Sequence, residues 1–506
     1  MTENEQIEST SSEQMAFRAA KREKMLAEGI DPYPAELPIT TTISDVRAQY
    51  DGLEPGTELE DVTVGIAGRV MLMRTAGKLF FATLQDGPGN RIQVMLSLKV
   101  VGEDEMARFK ADVDLGDHIF IHGHVGTSRR GELSIFAHEW KMASKALRPL
   151  PKTYTKEDGE ESGLSEENRV RMRHLDLIMR PDAREMIRLR SEVMKSLRNN
   201  FDRRGFVELE TPTLQAIHGG ASARPFTTHI NAYDEDLYLR IATELYLKRA
   251  VVGGVEKVYE IGKNFRNEGA DSTHSPEFTA LEVYQAYATY DTMADLTRNL
   301  IQQAALDALG TTTVTLADGT EYDLGGEWAE LDLYTSLSEA LGQEITVETS
   351  RDDLEKIADQ HGISVPPYAV AGKIVEDLWE ELVGDHLWAP TFLRDFPEDT
   401  SPLTRSHRTK PGVTEKWDLY IRGVETGTAY SELADPVVQR ERLVAQSLAA
   451  ADGDPEAMQL DEDFLAAMEQ GFPPSGGMGM GIDRLLTALT GLGIRETIAF
   501  PFVKRR

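Results

Sequence analysis

Between residues 62 and 140 the chain alternates apolar and polar positions in short runs, VTVGIAGRVMLMR, KLFFATLQD, NRIQVMLSL, DHIFIHGHVG and ELSIFAHEW, separated by Gly, Asp and Asn. A period of two over runs of this length predicts strands with one face buried. Five of them in fewer than a hundred residues predict a small barrel, since closure removes the exposed edges of a short sheet. Beyond it the period changes. REMIRLRSEVMKSLRNNF places Ile187, Met194, Leu197 and Phe201 at helical spacing, Gly205 ends the helix, and FVELETP follows as a strand. Further on, β-rich runs (DLYLRIA, KVYEIG, FTALEVYQAY, WDLYIRGVE) alternate with helical ones (ELYLKRAVVG, VVQRERLVAQSLAAA, EDFLAAMEQG). Their hairpin-like spacing favours an antiparallel sheet backed by helices over a doubly wound parallel one.

The resulting division is a tail and helix over 1–58, a barrel over 59–150, a linker over 151–175 (containing KTYTKEDGEESGLSEENR), and an α+β domain over 176–506. Within that domain a mostly helical, acidic stretch near 300–385 reads as an insertion, and residues 14–28, QMAFRAAKREKMLAE, read as an appended amphipathic helix with a basic face.

Composition narrows the function. The 506 residues carry 54 Lys+Arg against 85 Asp+Glu, a net charge of −31, so any polyanion binding must be local. Seven arginines between Arg169 and Arg190 offer such a patch, equally well read as an arginine-rich salt-bridged interface. With no cysteine, disulfides, thiolate catalysis and Cys-ligated zinc are excluded. The polar, acidic start MTENEQIESTSSEQ lacks an apolar targeting core, and no apolar run reaches membrane length, so the expectation is a cytoplasmic protein without a membrane part. His118, His122 and His124 alternate on one strand face, without a further ligand at metal-binding spacing.

Two stretches carry candidate chemistry. RNEGADSTHSPEF (266–278) sets Arg266, Glu268, His274 and Phe278 around one loop, a cation for phosphate and an aromatic ring for a base, or else a hairpin of self-paired charges. GGMGMGIDRLLTALTG invites a dinucleotide reading, but only 25 residues follow Gly481, too few for a βαβ unit. What remains is a glycine-rich strand entering a helix, Leu485, Leu486 and Leu489 on one face and Arg484 in the first turn, an arrangement that favours phosphate.

Helix–FVELETP with Pro212, the RNEG loop with Phe278, and GMGMGIDR together resemble motifs 1, 2 and 3 of class II aminoacyl-tRNA synthetases. RGELSI, ALRPLP, GGASARPF, YLRIATELYLKRAVVGG and NFRNEG, in order along nearly the whole chain, are similar to lysyl-tRNA synthetases. The resemblance implies an OB-fold anticodon-binding barrel, a class II catalytic domain, a homodimer, and charging of tRNA(Lys) with L-lysine through an adenylate made from ATP. It implies Arg266 and Arg484 as catalytic residues, the first bridging the amino-acid carboxylate and α-phosphate, the second holding the γ-phosphate. Glu268, His274, Phe278 and Glu425 would complete the ATP site, and Asp418 with Glu425 would hold Mg²⁺. The lysine site would comprise Gly220, Glu244, Arg266, Glu282, Tyr284, Thr428, Glu432 and Gly479, and the anticodon site Arg74, Phe81, Gln93 and Glu132. The charge of that lining agrees: a lysine ammonium leaving water needs fixed carboxylates, whereas aspartate would need an added cation.

Ser275 and Thr428 depart from the family, which has asparagine at both positions. GVETGTAYSEL and NEGADSTHSPEFTALEVYQAY are similar to an actinobacterial branch with relatives fused to a membrane lysyl-phosphatidylglycerol synthase, so supply of lysyl-tRNA for lipid modification stays open. A ligase for aspartate or asparagine would share the three motifs but not the acidic pocket. A translation-factor lysine ligase would lack the barrel, and a catalytically silent nucleic-acid-binding paralogue would have no chemical need for both arginines and both metal-binding acids.

Overall fold

A computed structural model describes residues 3–151, 154–155, 161–271, 274–451 and 458–504. The linker expected over 151–175 lies partly outside these residues, as do two positions of the 266–278 loop. The chain divides into two units, Met1–Arg184 and Glu185–Arg506.

In the first unit the five alternating runs become β1 (Glu58–Ala76), β2 (Leu79–Gln85), β3 (Arg91–Ser97), β4 (His118–Thr127) and β5 (Leu133–Ser144), closed into a barrel in the order β1-β2-β3-β5-β4. Alternation puts Ile66, Val70, Leu84, Ile92, Val94, Ile121 and Ile135 inside. Full burial of each such side chain contributes roughly 1.5–3 kcal/mol. Helix α1 (Glu3–Ala27) is longer than its sequence pattern suggests. Its basic face meets acids at the end of the barrel: Lys21 lies 2.7 Å from Asp114 and Lys24 3.3 Å from Asp112.

In the second unit, β6 (Val207–Glu208), β7 (Lys257–Phe265), β8 (Glu277–Ala286), β9 (Ala329–Asp332), β10 (Thr391–Arg394), β11 (Lys416–Ile421), β12 (Val424–Ser431) and β13 (Ser475–Gly481) form one sheet. Its order is β9-β10-β11-β12-β13-β8-β7-β6, antiparallel except for the edge pairs β9–β10 and β7–β6. The acidic stretch near 300–385 is therefore more than helical, since it supplies edge strand β9. WDLYIRGVE, one run by pattern, is a hairpin: Arg422 (φ 55°) and Gly423 (φ 69°) turn the chain between β11 and β12. Two consecutive positive φ values match the twist of the flanking strands.

One face of the sheet is covered by helices α2 (Pro181–Arg203), α4 (Tyr290–Leu309) and α6 (Ile482–Thr490). On α2 the buried stripe is Met186, Leu189, Val193, Leu197 and Phe201; Leu197 and Phe201 are in it as expected, Met194 flanks it, and Ile187 is 37% exposed because Met186 takes its place. Helix α3 (Glu244–Val252) packs with β7 and β8, and α5 (Ala371–Leu382) has its own core around Trp379.

Candidate active site

The other face of the sheet floors a cavity of about 860 Å³, and side-chain alternation decides what reaches it. In GGMGMG the strand from Gly477 to Gly481 lines the cavity, with the Met478 and Met480 side chains buried in the core shared with the helices and the glycines leaving the cavity face bare. Strand register then aligns two rows. Asp418 pairs with Thr428, Thr428 with Gly479, and Gly479 with Glu282. Two residues along, Lys416 pairs with Tyr430, Tyr430 with Gly477, and Gly477 with Tyr284. Strands lie about 4.8 Å apart, so Asp418 and Glu282 stand roughly 14 Å from each other. That is room for an amino acid and a phosphate end to end.

The RNEG loop forms one rim. Arg266 follows β7 and its guanidinium lies 5.1 Å from the centroid of the Phe278 ring. Its backbone N–H donates to the Pro276 carbonyl, while its buried Nε has no hydrogen-bond partner. Glu268 accepts from the Arg224 N–H at 3.1 Å, and Nδ1 of His274 is 3.1 Å from Asp271. Ser275 turns its hydroxyl to the Glu277 carbonyl. Arg484, in the first turn of the helix after β13, donates to the Glu425 carbonyl at 2.7 Å. Arg266, Glu268, His274, Phe278, Glu425 and Arg484 all line the cavity.

At the other end the carboxylates are buried. Glu282 accepts from the Thr243 N–H at the head of α3 and from the Asn264 amide at 3.3 Å. Burial raises its pKa to about 7; the Thr243 N–H opposes the rise and neighbouring Glu244 adds to it. Glu432 is 2% exposed and lies behind Gly477, whose added Cβ would stand 2.0 Å from its Oε1. Gly220, at φ +85°, leaves Glu244 similar space. Tyr284 and Thr428 line the same end, and the Thr428 hydroxyl reaches the Trp417 carbonyl at 3.4 Å.

Asp418 and Glu425, seven apart in sequence, come together by the hairpin and by a bulge where Leu419 pairs with Gly427 but Tyr420 pairs with Glu425. Burial raises the Asp418 pKa, Lys416 at 3.1 Å opposes that, and Glu425 adds to it. Its Oδ1 is buried without a hydrogen-bond partner, which suits a cation. Among the described residues no group of three or more His, Cys, Asp or Glu side chains forms a metal cage, so a cation here would complete its shell with phosphate and water, as Mg²⁺ does.

On the barrel, Arg74, Phe81 and Gln93 lie side by side on the outer face of β1, β2 and β3. The Arg74 guanidinium covers the Phe81 ring at 4.3 Å and donates to Gln93 at 3.2 Å. Glu132, exposed, precedes β5. His122 and His124 are joined on that face by His138, which a β-bulge in β5 turns outward, and Nδ1 of His124 is 2.9 Å from Nε2 of His138. The arginine run resolves into intramolecular contacts, among them Arg173–Asp176 (2.7 Å), Arg180–Asp176 (3.2 Å) and Arg190–Asp483 (2.5 Å).

Residues 165–504 match the family described as tRNA synthetases class II (D, K and N). The chain belongs to that family. Residues 64–143 match the OB-fold nucleic acid binding domain, so this class II synthetase carries an OB fold ahead of its catalytic domain. A lysine–tRNA ligase of Kineococcus radiotolerans is 59% identical over 98% of the chain and 97% of that relative. Lysine–tRNA ligase 1 of Mycobacterium tuberculosis is 57% identical, with 97% of each covered. A lysylphosphatidylglycerol biosynthesis bifunctional protein of Gordonia bronchialis is 50% identical over 97% of this chain but only 42% of its own length. No helix among the described residues of the synthetase is long and apolar enough to cross a membrane.

Three residues of the synthetase site escaped sequence reading. Lys416, two before Asp418, and Asn264, opposite Phe278, act through strand neighbours that only register reveals. Lys248 had a visible signal, its i,i+4 spacing from Glu244 in ELYLK, but that spacing is common on solvent-facing helices.

Proposed function

We propose that the protein attaches L-lysine to tRNA(Lys) through a lysyl-adenylate, using ATP and acting as a cytoplasmic homodimer. The observation that carries this reading is the polarity of the cavity: guanidinium donors at the phosphate end and buried carboxylates in excess at the other. Glu244 and Glu432 share one internal ammonium, Lys248, and Glu282 stands beside them without a cation of its own. Two further positive charges, the α- and ε-ammonium groups of lysine, would balance that end, whereas aspartate or asparagine would leave it uncompensated.

In this reading Arg266 orients the lysine carboxylate towards the α-phosphate and stabilises the charge developing there, with its unpaired Nε available as donor. Phe278 stacks on adenine, Glu268 and His274 hold adenine and the folded triphosphate, and Arg484 holds the γ-phosphate. Asp418 and Glu425 would hold Mg²⁺, which supplies charge neutralisation on the phosphates. Glu244 meets the α-ammonium; Glu282, Tyr284 and Glu432 meet the side-chain ammonium; Gly220 and Gly479 form walls. Thr428, with one hydroxyl, makes a weaker or water-mediated contact to the carboxylate than an amide would. On the OB fold, Phe81 and the planar Arg74 offer stacking surfaces for unpaired anticodon bases, with Gln93 and Glu132 as edge readers.

The test is pyrophosphate exchange across a panel of amino acids, followed by transfer to tRNA. Lysine alone should support exchange, and Glu282→Gln should raise the KM for lysine far more than that for ATP. Exchange with aspartate, or equal effects on both substrates, would refute the assignment.

A further inference from the structure

Lys248 is fully buried in α3, with Nζ 2.5 Å from Oε1 of Glu244 and 2.5 Å from Oε2 of Glu432. Taking an ammonium out of water in this way seldom adds stability over an apolar side chain of similar size. The pair divides the Glu432 carboxylate. Both oxygens are buried and lack a hydrogen bond of good geometry, but Oε2 is in the ion pair with Lys248, while Oε1 has no cation beside it and points to where a Cβ of Gly477 would stand. The backbone of Glu432 is fixed as well, through its N–H to the Ser475 carbonyl at 2.8 Å and a bridge to Thr404.

We propose that Lys248 is a positioning residue for amino-acid specificity: an internal ammonium that pins one oxygen of Glu432 in an ion pair and leaves the other open to a second ammonium from the substrate. The inference rests on the lysine-ligase reading above and deepens it. The charged and titratable groups around Glu432 are Lys248 and Glu244 from α3, Glu282 and Tyr284 from β8, and Tyr430 from β12. All but Lys248 are acids, so Lys248 alone among them opposes protonation of Glu432 as burial raises its pKa. Without it, the carboxylate would keep its proton to higher pH and present a hydroxyl instead of a charge. Substrate ammonium would then lose its attraction, while a neutral side chain ending in hydroxyl would not.

The test compares wild type and Lys248→Met in pyrophosphate exchange between pH 6.5 and 8.5, with 6-hydroxynorleucine as a competitive probe and thermal melting as a control for folding. Wild type must first show lysine-dependent exchange; its absence would refute the ligase reading itself. Given that exchange, Lys248→Met should raise the KM for lysine about tenfold or more while leaving the KM for ATP and the inhibition constant of the neutral analogue within about twofold. The variant's KM for lysine should fall as pH rises, with its midpoint displaced upward by about one unit or more relative to wild type. Equal weakening of lysine and the analogue, or an unmoved pH profile, would reduce Lys248 to a structural ion pair. Lys248→Gln replaces the variant if Met does not fold, and failure of both to fold would also overturn the proposal.

Discussion

Gly477 and Glu432 illustrate how single residues set this site. A methyl group at Gly477 would meet Glu432 Oε1 at 2.0 Å and the Tyr284 ring at 2.5 Å, whereas at Gly479 nothing lies nearer than 3.9 Å. Gly477→Ala should therefore cost about 1–3 kcal/mol of stability as an overpacked site, seen as a lower unfolding midpoint in urea. Gly479→Ala should leave that midpoint unchanged but raise the KM for amino acid, because its methyl group enters the open cavity. The glycines were legible as a backbone approached by a ligand. That one of them makes room for a glutamate 45 positions earlier was not, because strand order alone brings the two together.

Among the elements, the strands were the most legible, since a period of two is read directly from local sequence and each barrel run matches an observed strand. Less legible was pairing. The β11–β12 hairpin was hidden because Arg422 in the turn is not a residue that signals positive φ, and the bulge beyond it brings Glu425 beside Asp418. A testable consequence of strand environment is His118 on β4, whose pKa is lowered to about 4 by burial and then by Arg69. In the unfolded chain this imidazole titrates near 6.5, so the unfolded state binds more protons in between. The stabilising effect is complete above pH 6.5 and is lost as pH falls towards 4. His118→Gln should flatten that part of the stability profile, followed through Trp140, the one tryptophan of the first unit. An unchanged slope would place the proton uptake elsewhere.

For the whole molecule the expectation is a division of labour between units. Phe81→Ala should impair transfer to tRNA while leaving pyrophosphate exchange intact, and added salt should depress charging far more than exchange, since only charging displaces counterions from RNA. Loss of both activities together would contradict a role confined to the anticodon. At this scale the sequence by itself determined the α+β class, the barrel followed by a sheet domain, the glycine-rich strand before a helix, and the pool of cations, aromatics and acids from which a nucleotide and amino-acid site is built. These follow from local periodicity and residue type, which fix what a segment is and what its side chains can do. Only the tertiary structure decided which of them meet. Register set Asp418, Thr428, Gly479 and Glu282 in one row, the arginine run found intramolecular partners near and far in the chain, and Lys248 was buried between Glu244 and Glu432. The physical reason is that charge pairing and burial depend on distances between residues far apart in the chain, and an ion pair visible as i,i+4 spacing reads the same in water as in a core.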